Sequence, residues 1–159
     1  THHVPLRPGR VRRITLRIVL WFLEQARKKV AYKGTLGDIQ SIHFARWVLL
    51  DDDTVLFFSN YDGSWESYLG DFVDKAAIYL TAVWSNTKWF PDSWALAFGG
   101  AANESQFKRW ARTFQVENRI WYSAYPHLSV SDILRNALIR EGAVGEMTEE
   151  QARAWLAHL

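Results

Sequence analysis

The stretch from Ser59 to Lys75 constrains this chain most. It reads Ser-Asn-Tyr-Asp-Gly-Ser-Trp-Glu-Ser-Tyr-Leu-Gly-Asp-Phe-Val-Asp-Lys. A hydrophobic strand, Thr54 to Ser59, ends there, and Tyr61-Asp62-Gly63 turns the chain. A helix follows, with Asp62 or Ser64 as its N-cap. Glu66 falls in its first turn, where a carboxylate complements the helix dipole. Trp65, Tyr68, Leu69, Phe72, Val73, Ala76 and Leu80 recur at helical spacing, so the helix lays one apolar stripe on a sheet. The strand itself, Val55 to Phe58, is apolar on both faces, which implies a sheet covered on both sides.

Upstream, Ser41 to Leu50 alternates as a first strand. By period two, Arg46 shares a face with Ile42, Phe44 and Val48, while His43 shares the other with Trp47. Asp51-Asp52-Asp53-Thr54 is a hairpin turn; the Gly and distal Glu of a calcium loop are missing. Downstream, Trp84, Asn86, Trp89, Phe90 and Pro91 form an aromatic loop. Trp94 to Phe98 reads as a third strand, stopped by Gly99-Gly100. That glycine pair lacks the Lys or G-x-G-x-x-G frame of a phosphate cradle, so a turn is expected. Asn103 caps a helix bearing Phe107, Trp110, Ala111 and Phe114. Arg119 to Tyr125 reads as a fourth strand, closed by Pro126. Ser129 or Ser131 caps a helix to Arg140 that Gly142 terminates, and Thr148 with Gln151 opens a last short one through a capping box. The expected fold is α+β: about four mostly antiparallel strands in a ferredoxin-like, split βαβ sandwich, with helices on the sheet.

The N-terminal part stands apart in charge. Arg7, Arg10, Arg12, Arg13, Arg17, Arg27, Lys28, Lys29 and Lys33 crowd it, against Glu24 alone, although the whole chain carries only +2. Thr1 to Pro8 reads as an irregular arm, with His2 and His3 as solvated residues pointing apart rather than a metal site. Val11 to Tyr32 reads as a basic amphipathic helix with Gly34 as its stop, and Thr35 to Gln40 as a linker. Two regions result, 1–34 (arm and helix) and 35–159 (the α+β domain). From Ile18 to Leu23 the helix is apolar all round, hence buried in protein or lipid. It is too short to span a bilayer, which takes roughly 20 apolar residues, and Arg17 interrupts it. The candidate membrane- or partner-binding residues are Arg12, Arg13, Arg17, Ile18, Trp21, Phe22, Lys28 and Lys29. No secretory pattern is present, and a start at Thr1 suggests processing or a piece of a longer chain. Aromatics make up 15% of the chain, which suits a large core and also a contact surface, because Trp and Tyr favour interfaces.

Catalytic chemistry is hard to assemble. With no Cys there is no disulfide, thiolate metal site or cysteine nucleophile. G-x-S-x-G, H-E-x-x-H, P-loop and dinucleotide patterns are all missing. Of the five His, only His43 sits inside an expected strand; with Arg46 and Asp62 it forms the alternative catalytic or axial-ligand cluster. Ile42–Trp47, Ser59–Tyr68 and Trp121–Pro126 resemble segments of an uncharacterised bacterial domain family found inside longer chains. That resemblance implies no assigned activity. In layout alone the chain is similar to ferredoxin-like dimeric α+β barrels, some of them haem peroxidases, which implies haem as an alternative cofactor. The expectation is a non-catalytic interaction or scaffold subunit. It would sit peripherally at the cytoplasmic face of a membrane, with no metal or cofactor. Its partners would be other protein subunits and an anionic surface, not nucleic acid. The alternative is a haem- or small-ligand-binding module.

Overall fold

The computed structural model describes residues 1–30, 39–51, 53–144 and 146–157, without the side chains of Arg27, Lys29 and Val30. The expected helix end at Tyr32, Lys33, the stop at Gly34, most of the 35–40 linker, Asp52 of the hairpin turn and His158 therefore lie outside the described residues. The chain forms two compact units, Thr1–Trp121 and Tyr122–Leu159.

The fold is α+β. In the first unit, β1 (His2–Pro5), β2 (Ile42–Leu49) and β3 (Thr54–Tyr61) form an antiparallel sheet in the order β1-β3-β2. The first strand is the arm expected to be irregular. His2, Val4 and Leu6 are buried alternately, so the period-two pattern was present but too short to stand out. The outer side of β1 is closed without a further strand. His3 donates its backbone N–H to the Phe114 carbonyl, Val116 to Thr1, Arg7 to Asn86 and Lys88 to Pro5.

Three other expectations are corrected. Trp94 to Phe98 is not one strand but a tight hairpin: β4 (Ser93–Trp94) and β5 (Phe98–Gly99) pair antiparallel. Ala95 and Leu96 both have positive φ at the centre of a tight turn that the Ala97 N–H closes on the Trp94 carbonyl at 3.1 Å, and the Trp94 and Phe98 rings meet at 5.4 Å. Residues 119–125 form no strand, and Ile120 is 89% exposed. The place a fourth strand would take beside β1 is held by residues 86–88 and 114–116. The sheet is therefore three-stranded, with a two-stranded ribbon beside it in sequence, and not the four-stranded ferredoxin-like layout.

The helices follow their caps. Helix α2 (Trp65–Trp84) starts at Ser64, whose hydroxyl accepts from the Ser67 N–H at 3.1 Å. Helix α3 (Glu104–Thr113) starts at Asn103, whose side chain accepts from Gln106. A 3-10 turn (Gly100–Ala102) joins the ribbon to α3. Helix α1 (Arg10–Val30) packs against α2 and sends Leu16 into the core. At the centre lies Phe57 of β3, with its ring among Trp47 (4.8 Å), Trp84 (6.0 Å), His2 (6.1 Å) and Phe72 (6.4 Å). Trp84 passes the packing on to Trp110, and Trp110 to Phe90.

In the second unit, α4 (Val130–Ala143) and α5 (Glu149–Leu156) both begin with capping boxes, Ser129 with Asp132 and Thr148 with Gln151. Gly142 lies inside the last turn of α4 instead of ending it. A Cβ there would sit 2.1 Å from the Trp155 ring, whose indole N–H donates to the Ile139 carbonyl at 2.9 Å. The glycine is thus the space that lets α5 dock.

Two measurements test this packing. Gly100 has φ of 56°, and a Cβ would lie 2.8 Å from both Phe90 and Thr81. Gly100→Ala should cost roughly 2–4 kcal/mol of unfolding free energy in urea titrations, through overpacking and left-handed strain. His2 is the second probe. Burial, with help from the nearby amino terminus and against a hydrogen bond to the Ala111 backbone, pulls its pKa from 6.5 down to about 4. Between those values the unfolded chain takes up a proton that the folded chain refuses. Its share of stability is full above about pH 6.5, falls as pH drops, and levels off below about 4. The span sets a ceiling of roughly 3 kcal/mol. The fall in Tm between pH 6.5 and 4 should flatten in His2→Leu; an equally steep fall would assign the effect to other groups.

Candidate functional site

Three surfaces carry the residues that the sequence marked. The first is α1. Leu16, Val19, Leu20 and Leu23 turn towards the core. Val11, Ile14, Ile18, Trp21 and Phe22 lie on the opposite side and are 50–74% exposed. The helix is apolar all round because it has two apolar faces, and the first unit covers only one. Trp21 and Phe22 touch edge to face at 4.9 Å. Arg10, Arg17 and Lys28 are exposed, and their spacing puts them along one flank of this stripe, next to Trp21. Arg13 is engaged elsewhere: its guanidinium binds the Asp53 carboxylate and the Asp51 carbonyl, pinning α1 to the β2–β3 turn. Arg12 is half-buried, and the Lys29 side chain lies outside the described residues.

The second surface holds His43, Arg46 and Asp62. A register shift between Ile42 and Phe44 breaks the expected alternation. Ile42 pairs with Tyr61 and is buried, on the core face with Trp47, whereas Phe44 on the opposite face is 59% exposed. That corrects the expected grouping of Ile42 with Phe44 and Arg46. His43 Nε2 meets the Asp62 carboxylate at 2.7 Å. Arg46 is not with them; its guanidinium lies 4.9 Å over the Phe58 ring. Two of the three residues are brought together, as a solvated pair of the kind worth at most about 1 kcal/mol. An axial haem ligand needs a free ring nitrogen and room for the porphyrin. His43 has Nε2 on Asp62, which leaves Nδ1, but it lines neither of the grooves described below, so these residues do not show the room a porphyrin needs. No cluster of three or more His, Asp or Glu able to hold a metal occurs among the described residues.

The third surface is a polar cleft of about 590 Å³ where β3 ends. Ser59, Asn60 and Tyr61 form one wall, and Arg112, Gln115, Glu117, Asn118 and Trp121 belong to the other side of the lining. The wall is stiff. Tyr61 stacks on Tyr68 at 3.7 Å with planes 5° apart, and burial holds the Tyr68 phenol far above its usual pKa, hence neutral. Arg112 stacks 3.7 Å over Trp65 and binds Glu66 at 2.5 Å, tying α3 to the start of α2. The sequence had marked Ser59 to Glu66. It missed Gln115, Glu117 and Asn118, whose only trace was a polar run between an amphipathic helix and an aromatic segment. A second groove, of about 660 Å³, is more apolar and is lined by Trp89, Pro91, Trp110 and Phe114 with Arg109. Trp89 holds a positive φ of 56° there and stacks on Phe114 at 5.7 Å.

The chain matches no family model, no curated protein and no solved structure.

The Arg112 clamp is open to test. Arg112→Ala removes the stacking on Trp65 and the bond to Glu66, and should cost about 1 kcal/mol in denaturant titrations. Arg112→Lys should recover only part of that, because an ammonium keeps the charge but not the flat contact.

Proposed function

We propose that the protein is a non-catalytic interaction subunit that docks peripherally on an anionic membrane surface through α1. What carries the reading is the exposed stripe of Val11, Ile14, Ile18, Trp21 and Phe22, each at least half exposed on a helix whose other side is anchored in the core. A soluble surface does not ordinarily leave so many large apolar side chains in one row. Arg10, Arg17 and Lys28 beside the stripe suit lipid phosphates at the depth where Trp21 and Phe22 would meet the acyl boundary. Burying the exposed halves of Ile18, Trp21 and Phe22 is worth roughly 1 kcal/mol each. Each basic residue adds about 1 kcal/mol at an anionic surface, less at high salt. None of the described helices is long and apolar enough to cross a membrane, so the contact proposed is with one leaflet. On this reading the site belongs to the cytoplasmic face, among other subunits of an assembly. The 3-4 spacing of Val11, Ile14, Ile18 and Trp21 is also that of a helix-pairing seam, which favours a protein helix as the second reading.

Co-sedimentation separates the two. The chain should pellet with vesicles rich in phosphatidylglycerol, weakly with phosphatidylcholine, and less as salt rises. Ile18→Glu with Trp21→Glu and Phe22→Glu should abolish pelleting while circular dichroism stays unchanged. A chain that ignores anionic vesicles but self-associates, and stops doing so in the same variant, would move the site to protein pairing.

A further inference from the structure

The polar cleft at the end of β3 uses different residues from α1, and its chemistry points to a different ligand. Its volume of about 590 Å³ falls within the ~300–1,000 Å³ usual for small-molecule sites. Its lining is rich in side chains that donate and accept at once: the amides of Asn60, Gln115 and Asn118, and the hydroxyls of Ser59 and Tyr61. The Asn118 carbonyl oxygen accepts from the Thr1 hydroxyl at 3.2 Å, which turns that amide and fixes it. The side chains of Asn60, Gln115 and Glu117 have no protein hydrogen-bond partner among the described residues. Gln115 and Glu117 are exposed and Asn60 half-buried, so all three are open to a ligand that exchanges places with water.

Charge decides what that ligand is. The cations in the lining are Arg112, neutralised by Glu66 at 2.5 Å and stacked over Trp65, and the Thr1 amino group, whose pKa burial lowers. The other charge is the carboxylate of Glu117. A phosphate or carboxylate ligand would find only the Thr1 amine, weakened by burial and offset by the like charge of Glu117. A neutral ligand whose groups also donate and accept at once fits better. Two flat rings complete the site: Tyr61, held parallel to Tyr68, and Trp121 at the rim, 61% exposed. Such rings suit a molecule with one apolar C–H face and a polar edge.

We propose that this cleft binds a neutral, hydroxyl-rich small molecule, a saccharide of one or two rings. Pairs of vicinal hydroxyls would bridge the amides of Asn60, Gln115 and Asn118, while a ring face packs on Trp121 or Tyr61. Because the wall is pinned by the Tyr61–Tyr68 stack and the Arg112 clamp, little ordering is left to be done on binding.

The test is saturation-transfer NMR on the whole chain. The probes are glucose, galactose, mannose, N-acetylglucosamine, maltose and cellobiose at millimolar concentration, with inorganic phosphate followed in parallel by its 31P line width. At least one sugar should receive saturation. Its Kd should weaken roughly tenfold or more in Asn60→Ala with Gln115→Ala. Trp121→Ala, which removes an exposed ring and leaves the core alone, should weaken it as well, so the outcome does not rest on one variant. Circular dichroism checks that each variant is folded. No transfer to any sugar, transfer equal in wild type and both variants, or phosphate binding that the variants abolish would each overturn the proposal. None of these results bears on vesicle pelleting, so this inference and the proposed docking of α1 fail separately.

Discussion

Everything in the first unit hangs on the burial of Phe57. It sits on the central strand, and its ring meets His2 of β1, Trp47 of β2, and Phe72 and Trp84 of α2. Aromatic contacts of this kind add roughly 0.5–1.5 kcal/mol each beyond the area they bury. Trp84 then hands the packing to Trp110 and Phe90, so α3 and the ribbon are fixed to the same centre. This explains the high aromatic content without appeal to function. Other rings stay exposed, among them Trp21 and Phe22 on α1, Phe44 on β2, Trp94 and Phe98 on the ribbon, and Trp121 at the cleft.

Helix α1 shows how one element serves two environments. Leu16 is wholly buried and Arg13 is locked to the β2–β3 turn, so the helix has a fixed rotation about its axis. That rotation decides which apolar residues remain outside. A loosely tethered amphipathic helix would choose its own face on meeting a partner and pay in ordering for doing so. Here the anchoring makes that choice in advance. The basic flank at Arg10, Arg17 and Lys28 follows from the same rotation.

Local grammar was legible in the sequence, whereas pairing was not. Ser64, Asn103, Ser129 and Thr148 all cap the helices they were expected to cap, since a cap is decided by four or five adjacent residues. The hairpin of β2 and β3 was legible for the same reason. What failed depended on distant partners. His2, Val4 and Leu6 alternate over too few residues to announce a strand, and they become one because β3, about fifty residues on, offers an edge. Residues 119–125 alternate more convincingly and yet join no strand. In the candidate site, His43 and Asp62 were rightly placed near each other by the hairpin that carries them. Arg46 was grouped with them by nearness in sequence and lies over Phe58 instead, while the register shift, invisible to a period-two rule, takes Ile42 off its face. Gln115 and Asn118 reach the cleft only because residues 114–116 lie against β1, a contact that no local pattern encodes.

The backbone bonds between Thr1 and Val116 and between His3 and Phe114 bring the two ends of the first unit side by side. A unit closed in this way is a topological plug. It also completes its sheet late. Val4 waits beside the growing chain until Val55 is made, and β1 is flanked on its outer side only once Phe114 and Val116 have followed. Strand β1 is thus among the last elements to be secured, and the unit closes like a clasp rather than growing from one end.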